Sequence, residues 1–470
     1  MQATPTVTVV PTTITPAASA TSAIPQDTPQ PQLTLMPSQT ATVQNVLERT
    51  QYTLDAILDT DANSLSVVEQ IEYLNTTGSA LNEIPLVIPA NRIEHQFFLD
   101  TLQLDGTVQS DTAYTLDGET LTLKLANTLQ PEDVLEISLS YTLAIPDQNG
   151  PFGYTGRQYN LADWYAFVPP YDAATGWMIN PYHPIGEYLV YDCADFVVNI
   201  SLTAPDAAMK IAAGAPLTYT DNLWHYELPA ARTFVWSASD EFVVLQQAET
   251  GNVSAYVFPE HESQGWSALS TTISAMNLYS NLYGPYPHAA LTLVEADFYD
   301  GMEYDGLYFL GIDYFQSYKG GEQNYLTAIA AHETAHQWWF SAVGNDAARE
   351  PWLDESLAIY SEYFFYRTYY PGDETWWWKF RVNSFTPEGR VNSEVYEFSQ
   401  FRPYINAIYL RGAEFLEEIR QTIGDDAFLA FLQAYYRQGS GKIIHRQDFF
   451  DVLGQYSTAD LTPIVEKYFR

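Results

Sequence analysis

The sequence predicts a multidomain protein with separate β and α regions, an all-β part followed by a mostly α-helical part that carries a small sheet. Three observations predict it. The chain has 470 residues, enough for two or three domains with large cores. Apolar residues alternate with a period of two up to about Val244. Beyond about Gly251 the period lengthens to that of helices.

In chain order, residues 1–46 come first, and they read as a disordered Thr/Pro/Ala-rich linker. They carry one charged side chain, Asp27. Such a composition buries too little apolar surface to fold, and its stiff, polar character suits a stalk. We expect a signal or membrane tether upstream of it, and hence an extracellular or cell-surface location.

Residues 47–248 read as the β domain. Tyr52, Leu54, Ala56 and Leu58 point one way, as do Leu121, Leu123 and Leu125, then Leu135, Ile137, Leu139 and Tyr141. Turn-rich stretches such as Asn75-Thr76-Thr77-Gly78 separate these runs. Residues 249–470 read as the second domain. Helical periodicity appears over 266–282, 322–340, 351–369, 412–423 and 426–436, and the β-rich pieces 289–294 and 306–312 supply its sheet. Pro351 opens one helix and Pro371-Gly372 closes it.

Composition excludes several classes of function. With 58 acidic against 20 basic side chains the formal charge is −38, which repels phosphate backbones, so nucleic acid is a poor partner. No run of eighteen apolar residues occurs, so no transmembrane segment is expected in this chain. Cys193 is the single cysteine, which rules out an intrachain disulfide and a thiolate metal cluster.

The strongest chemical signal is His332-Glu333-Thr334-Ala335-His336, inside a predicted helix. Residues four apart share a helix face, so both imidazoles reach one ion, and Glu333 sits where it can take a proton from a water. Eighteen residues separate His336 from Glu355, room for a return helix that brings a carboxylate to the same ion. Two imidazoles, one carboxylate and an open position make a catalytic zinc set, with one Zn2+ per chain expected.

These residues resemble the gluzincin family of aminopeptidase N and leukotriene hydrolase, whose pattern is H-E-x-x-H followed eighteen residues later by Glu in a W-L-N-E context. Here that context is Trp352-Leu353-Asp354-Glu355, with Asp for Asn. The run from Tyr52 also resembles the opening strands of the family's N-terminal domain. The resemblance implies a saddle-like β domain and a thermolysin-like catalytic domain, in a two-domain form without the large C-terminal helical domain of many relatives. It also implies an aminopeptidase whose partners are peptides with a free N-terminus. Gly301-Met302-Glu303 is similar to the family's exopeptidase segment, whose Glu binds the substrate amine. Tyr304 stands where Asn is usual. An ionised carboxylate is a natural acceptor for a cationic amine. Gln158-Tyr159-Asn160 is similar to a segment whose third polar residue helps hold the amine, which implies that role for Asn160, with a plain loop role as the alternative. Tyr409-Leu410-Arg411-Gly412-Ala413 resembles the element that supplies the transition-state donor, here Tyr409.

Glu362, seven residues after Glu355 on the same helix face, is placed to accept a hydrogen bond from a ligand imidazole, with a solvated carboxylate as the alternative. Two other functions remain compatible with these features: an open-cleft zinc endopeptidase and a non-catalytic zinc-containing surface binding protein.

Overall fold

The computed structural model describes residues 47–247 and 252–470. The expected linker at 1–46 and the expected boundary at 248/249 lie outside the described residues. Among the described residues no helix is long and apolar enough to cross a membrane.

The first half is β, as the alternation requires. An eight-stranded sheet has Gln51–Asp59 near its centre, antiparallel to Ser64–Leu74 on one side and parallel to Ala194–Leu202 on the other. Tyr52, Leu54, Ala56 and Leu58 are buried on its inner face while Asp55 and Ile57 are exposed, the period-two consequence of the pleat. Smaller sheets of four, three and two strands complete this half. The strand Val243–Gln246 pairs with Val253–Val257, so it belongs to the sheet of the second half. That sheet therefore begins slightly ahead of the position the sequence pattern suggests.

The second half has a five-stranded sheet whose outer strand, Gly301–Tyr304, runs antiparallel to Leu307–Gly311. Helices Glu262–Leu282 and Tyr325–Ala335 pack on it, Trp352–Tyr369 packs on Tyr325–Ala335, and Arg411–Ile423 packs on Trp352–Tyr369. Helix Tyr325–Ala335 opens on an Asn324 cap, whose side chain accepts from the Thr327 amide. It ends at Ala335, five residues short of the predicted Phe340. Trp338 and Trp339 are both fully buried, and their indoles donate to different elements, Gly284 O and Ser361 Oγ. Two adjacent indoles anchored in separate places take the chain out of the helix.

The halves are joined by polar ties. Arg157 donates to both oxygens of Asp297 and to Glu260, and the Arg232 guanidinium donates to the carbonyls of Phe340, Ser341, Ala342 and Lys442. Gln158 donates to Glu295 O and accepts from the Asp297 amide.

Candidate metal centre

His332 and His336 lie one turn apart, at the end of helix Tyr325–Ala335, and Glu355 faces them from the first turn of helix Trp352–Tyr369. His332 Nε2 is 3.2 Å from His336 Nε2, and Glu355 Oε2 is 3.3 and 3.5 Å from these two nitrogens. Ligands at about 2.0–2.1 Å from a tetrahedral zinc stand roughly 3.3–3.4 Å apart, so the triangle has the right size.

The outer nitrogens fix the tautomers. His332 Nδ1 lies 3.0 Å from Glu362 Oε1, and His336 Nδ1 lies 3.0 Å from the Trp339 carbonyl. Each Nδ1 therefore carries the proton, and the two Nε2 lone pairs converge with Glu355 Oε2, which has no hydrogen-bond partner. Three acceptors facing one another with no donor between them fit a cation. Burial alone presses His332 toward its neutral form, yet the Glu355 and Glu362 carboxylates outweigh it and raise its pKa to about 9. The cluster calls for positive charge.

Glu333 and Glu303 stand beside this triangle, and with His336 they form a second group of converging ligand atoms. A Cβ added to Gly301 would lie 1.9 Å from Glu333 Oε1, so only glycine lets the base press against the edge strand. Glu333 Oε2 is buried and unpartnered. Burial, then the neighbouring Glu303, pushes its carboxyl well above the usual range. Glu303 is 5% exposed, and its Oε1 also lacks a hydrogen-bond partner. Met302 is half-buried on the same strand and lines the cleft. Tyr304, by contrast, is buried in the core, and its carbonyl accepts from Gln337, whose Oε1 accepts from the Gly306 amide. Gln337 thus ties the ligand helix to the edge hairpin.

Tyr409 lies in a five-residue π-helical segment, Asn406–Leu410, held by the Ser356 hydroxyl donating to the Ile408 carbonyl. Its ring stacks on His332 at 5.9 Å and its hydroxyl donates to Glu355 Oε1. Glu362 is fully buried rather than solvated. Besides His332, it accepts from Trp377 Nε1 and from two nitrogens of Arg381. Burial opposes its charge, but the Arg381 guanidinium prevails and holds it down at about 2.

Asn160 departs from the expectation. It is fully buried, its amide donates to Gly150 O and its oxygen accepts from Ser237, and it does not line the cleft. Both of its polar ends are spent inside the β domain, so the structure does not bring it to the site. Residues 149–151 of the same sheet region line the cleft instead. Sequence reasoning also missed Arg381 and Glu187. Arg381 is one of only 20 basic residues and follows three tryptophans, a signal that went unused. Glu187 is one of 58 acidic residues, with nothing local to mark it.

His332, Glu333, His336, Glu355, Glu303, Arg381 and Tyr409 line one cleft of roughly 1140 Å³. Fold and site together define a metallopeptidase domain. Residues 267–468 match the model of the Peptidase family M1 domain. Similar curated proteins include aminopeptidase M1-D of Oryza sativa subsp. japonica, 26% identical over 227 residues that make up 45% of this chain and 26% of that protein. Human endoplasmic reticulum aminopeptidase 1 is 27% identical over 223 residues, 44% of this chain and 24% of that protein. The chain thus spans about a quarter of the length of the curated relatives it matches. An M1 zinc metallopeptidase from Deinococcus radiodurans shares the two-domain fold, with a TM-score of 0.61 at 16% identity, covering 91% of this chain and 95% of that one. A mutant of that protein bound to a Tyr-Ser-Ala substrate aligns with a TM-score of 0.59, at 17% identity over 91% of this chain and 95% of that one.

Proposed function

We propose that the protein is a zinc aminopeptidase that removes the first residue from peptides, with one Zn2+ held by His332, His336 and Glu355. The observation that carries this reading is the conjunction, in one cleft, of a three-acceptor metal triangle with Glu303, a buried carboxylate with an unpartnered oxygen. The tripeptide bound by the Deinococcus radiodurans protein supports the same substrate class.

The zinc ion, when bound, supplies Lewis-acid polarisation of the scissile carbonyl and acidifies a water. The rest is the work of side chains. Glu333 accepts the proton of the attacking water and returns it to the leaving amine. Its unpartnered Oε2 is free for both transfers. Glu303 takes the substrate's ammonium group, so the first peptide bond is the one that lies over Glu333. Tyr409, whose phenol burial keeps protonated, donates to the carbonyl oxygen as negative charge develops there. Glu362 keeps His332 in the tautomer that offers Nε2.

The test is a panel of aminoacyl chromogenic substrates, free and N-acetylated, with and without chelator. Activity on free substrates that chelation abolishes and zinc restores is expected, and Glu333→Gln should retain metal while losing turnover. Full activity in a metal-free preparation overturns the reading. Equal cleavage of free and acetylated substrates replaces it with an endopeptidase, and zinc content without any turnover replaces it with a binding protein.

A further inference from the structure

The cleft has a basic side as well as an acidic one. The chain carries only 20 basic side chains against a formal charge of −38, yet two of them, Arg381 and Arg402, line this one cleft. Arg381 lies in the π-helical turn Trp378–Val382, directly after the short helix Glu374–Trp377, as Tyr409 lies in its own π-helical turn. Such turns shift the helical register and are frequent at functional sites. Here the turn returns Arg381 to Glu362, while Trp377, at the end of the preceding helix, donates to the same carboxylate. Arg381 is only 9% exposed, a buried cation in the wall of the cleft.

The bonds to Glu362 leave a defined part of this guanidinium over. Nε donates to Glu362 Oε2 at 2.8 Å and Nη2 to Glu362 Oε1 at 2.5 Å, so the carboxylate covers the side that carries the Nε hydrogen. These bonds use two of the five N–H groups. The end of the fork, both hydrogens of Nη1 and the second of Nη2, makes no hydrogen bond among the described residues. Two parallel donors in a fixed plane match the two oxygens of one carboxylate. Arg402 is close by, because its guanidinium lies 4.5 Å over the ring of Phe385, four residues beyond Arg381. Arg402 is exposed, and among the described residues no carboxylate pairs with it. Asp300 and Asp313 also line the cleft, and neither forms an ion pair with either arginine. Since Glu362 already matches Arg381, Arg402 brings the positive charge that is still uncompensated. Glu303 stands beside His336, whereas Arg381 reaches the triangle through Glu362 and His332. The acid and the fork thus flank the metal triangle by way of different imidazoles.

We propose that the free end of the Arg381 fork, with Arg402 beside it, binds the C-terminal carboxylate of the substrate, which makes di- and tripeptides the preferred class. This rests on the aminopeptidase reading and adds a limit on substrate length. With the first peptide bond over Glu333, the substrate runs on past His332 toward Arg381. Glu362 alone separates His332 from the fork, a gap on the order of one or two residues of extended chain at about 3.3–3.6 Å each. A short peptide presents its carboxylate there, whereas a longer one presents only a neutral carbonyl. The charge-assisted contact is roughly twice as strong as the neutral one, and its loss lowers kcat/KM by about 10- to 100-fold.

The experiment measures kcat/KM on a dipeptide, a tripeptide and a hexapeptide of matched sequence, each as the free acid and as the C-terminal amide, with N-acetylated forms as controls. Turnover of the free-amine series that acetylation abolishes is the reading on which the proposal rests; no turnover, or indifference to acetylation, ends both. Given that turnover, the acid of the di- and tripeptide should exceed the amide by about 10- to 100-fold, and the two forms of the hexapeptide should agree within about twofold. Arg381→Lys keeps a cation beside Glu362 but has no fork, so its acid-to-amide ratio on the dipeptide should fall about tenfold while zinc is retained. Arg402→Gln, at an exposed position, should lower the same ratio by a smaller factor, and Arg390→Gln, whose arginine pairs with Glu397 outside the cleft, should keep it. The proposal is overturned if wild type cuts short acids and amides within about twofold of each other, or if the acid preference persists undiminished in the hexapeptide. It is also overturned if Arg381→Lys lowers acid and amide equally, which confines Arg381 to holding Glu362. Should Arg381→Lys lose its zinc, Arg402→Gln decides, and an unaltered ratio there overturns the proposal.

Discussion

Glu69 and Glu362 are the same side chain at the same depth, each fully buried, one in the β half and one in the helical half. Glu69 points inward from the strand Ser64–Leu74, among Leu65, Val67, Ile71 and Tyr73. Its Oε2 accepts from the Tyr141 hydroxyl and the Ala166 amide, while its Oε1 has no partner. Burial pushes it up to about 8, and two neutral donors only partly offset this. Glu362 meets the same desolvation, but Arg381 and His332 bring it down to about 2. Burial favours the neutral acid, and at Glu362 a fixed cation keeps the carboxylate ionised. The β half can tolerate a neutral acid, whereas the metal centre requires an anion to orient His332.

The largest effect should come from removing the cation that makes the difference. Arg381→Met strands Glu362 as an unpaired buried charge, and denaturant unfolding of the metal-free protein should show a loss of about 3–5 kcal/mol. A loss below about 1 kcal/mol would mean that Arg381 does not hold Glu362 ionised.

A third buried carboxylate, Glu355, extends the comparison, since Tyr409 donates to it much as Tyr141 donates to Glu69. The two phenols should nevertheless differ in consequence. Tyr409→Phe should lower kcat by about 10² to 10³ with zinc content and KM nearly unchanged, because the donor acts on charge that develops in the transition state. Tyr404, whose ring packs against Tyr409 at 5.7 Å, is the matched control. If Tyr404→Phe loses the turnover and Tyr409→Phe keeps it, the role belongs to Tyr404.

Glu362→Gln removes the charge and keeps the shape. Zinc affinity, measured by competition with a chelator, should fall about 10- to 100-fold, the usual cost of losing a hydrogen-bond partner of a ligand imidazole. An unchanged affinity would show that the Trp377 and Arg381 contacts serve packing only.

The smallest effect on turnover is expected at Glu69. A carboxylate whose folded pKa is raised is most favourable below its unfolded value, near 4.3, and loses that contribution as pH rises toward about 8. Glu69→Gln should remove this slope, so that unfolding free energy no longer declines over that interval on account of this group. Each pH unit over which the group stays protonated above its unfolded value is worth about 1.4 kcal/mol, so the substitution should be more favourable at pH 7 than at pH 4. A slope that persists in Glu69→Gln would place the titration elsewhere.

What the sequence determined by itself is what local periodicity controls. Tyr52, Leu54, Ala56 and Leu58 are buried together because a pleat repeats every two residues, and His332 and His336 converge because a helix repeats every 3.6. The eighteen-residue step to Glu355 is nearly as local, one turn of chain between two packed helices. Glu362 was legible for the same reason, seven residues and two turns beyond. Asn160, Glu187 and Arg381 were not. Whether Asn160 opens to the cleft or seals against Ser237 depends on a strand 77 residues away. The place of Glu187 on the wall of the cleft depends on how the β half docks on the helical half, through Arg157, Gln158 and Arg232. No repeat in the chain encodes those distances. They follow from the shapes of two cores and the buried charges that had to be matched between them, which only the tertiary structure decides.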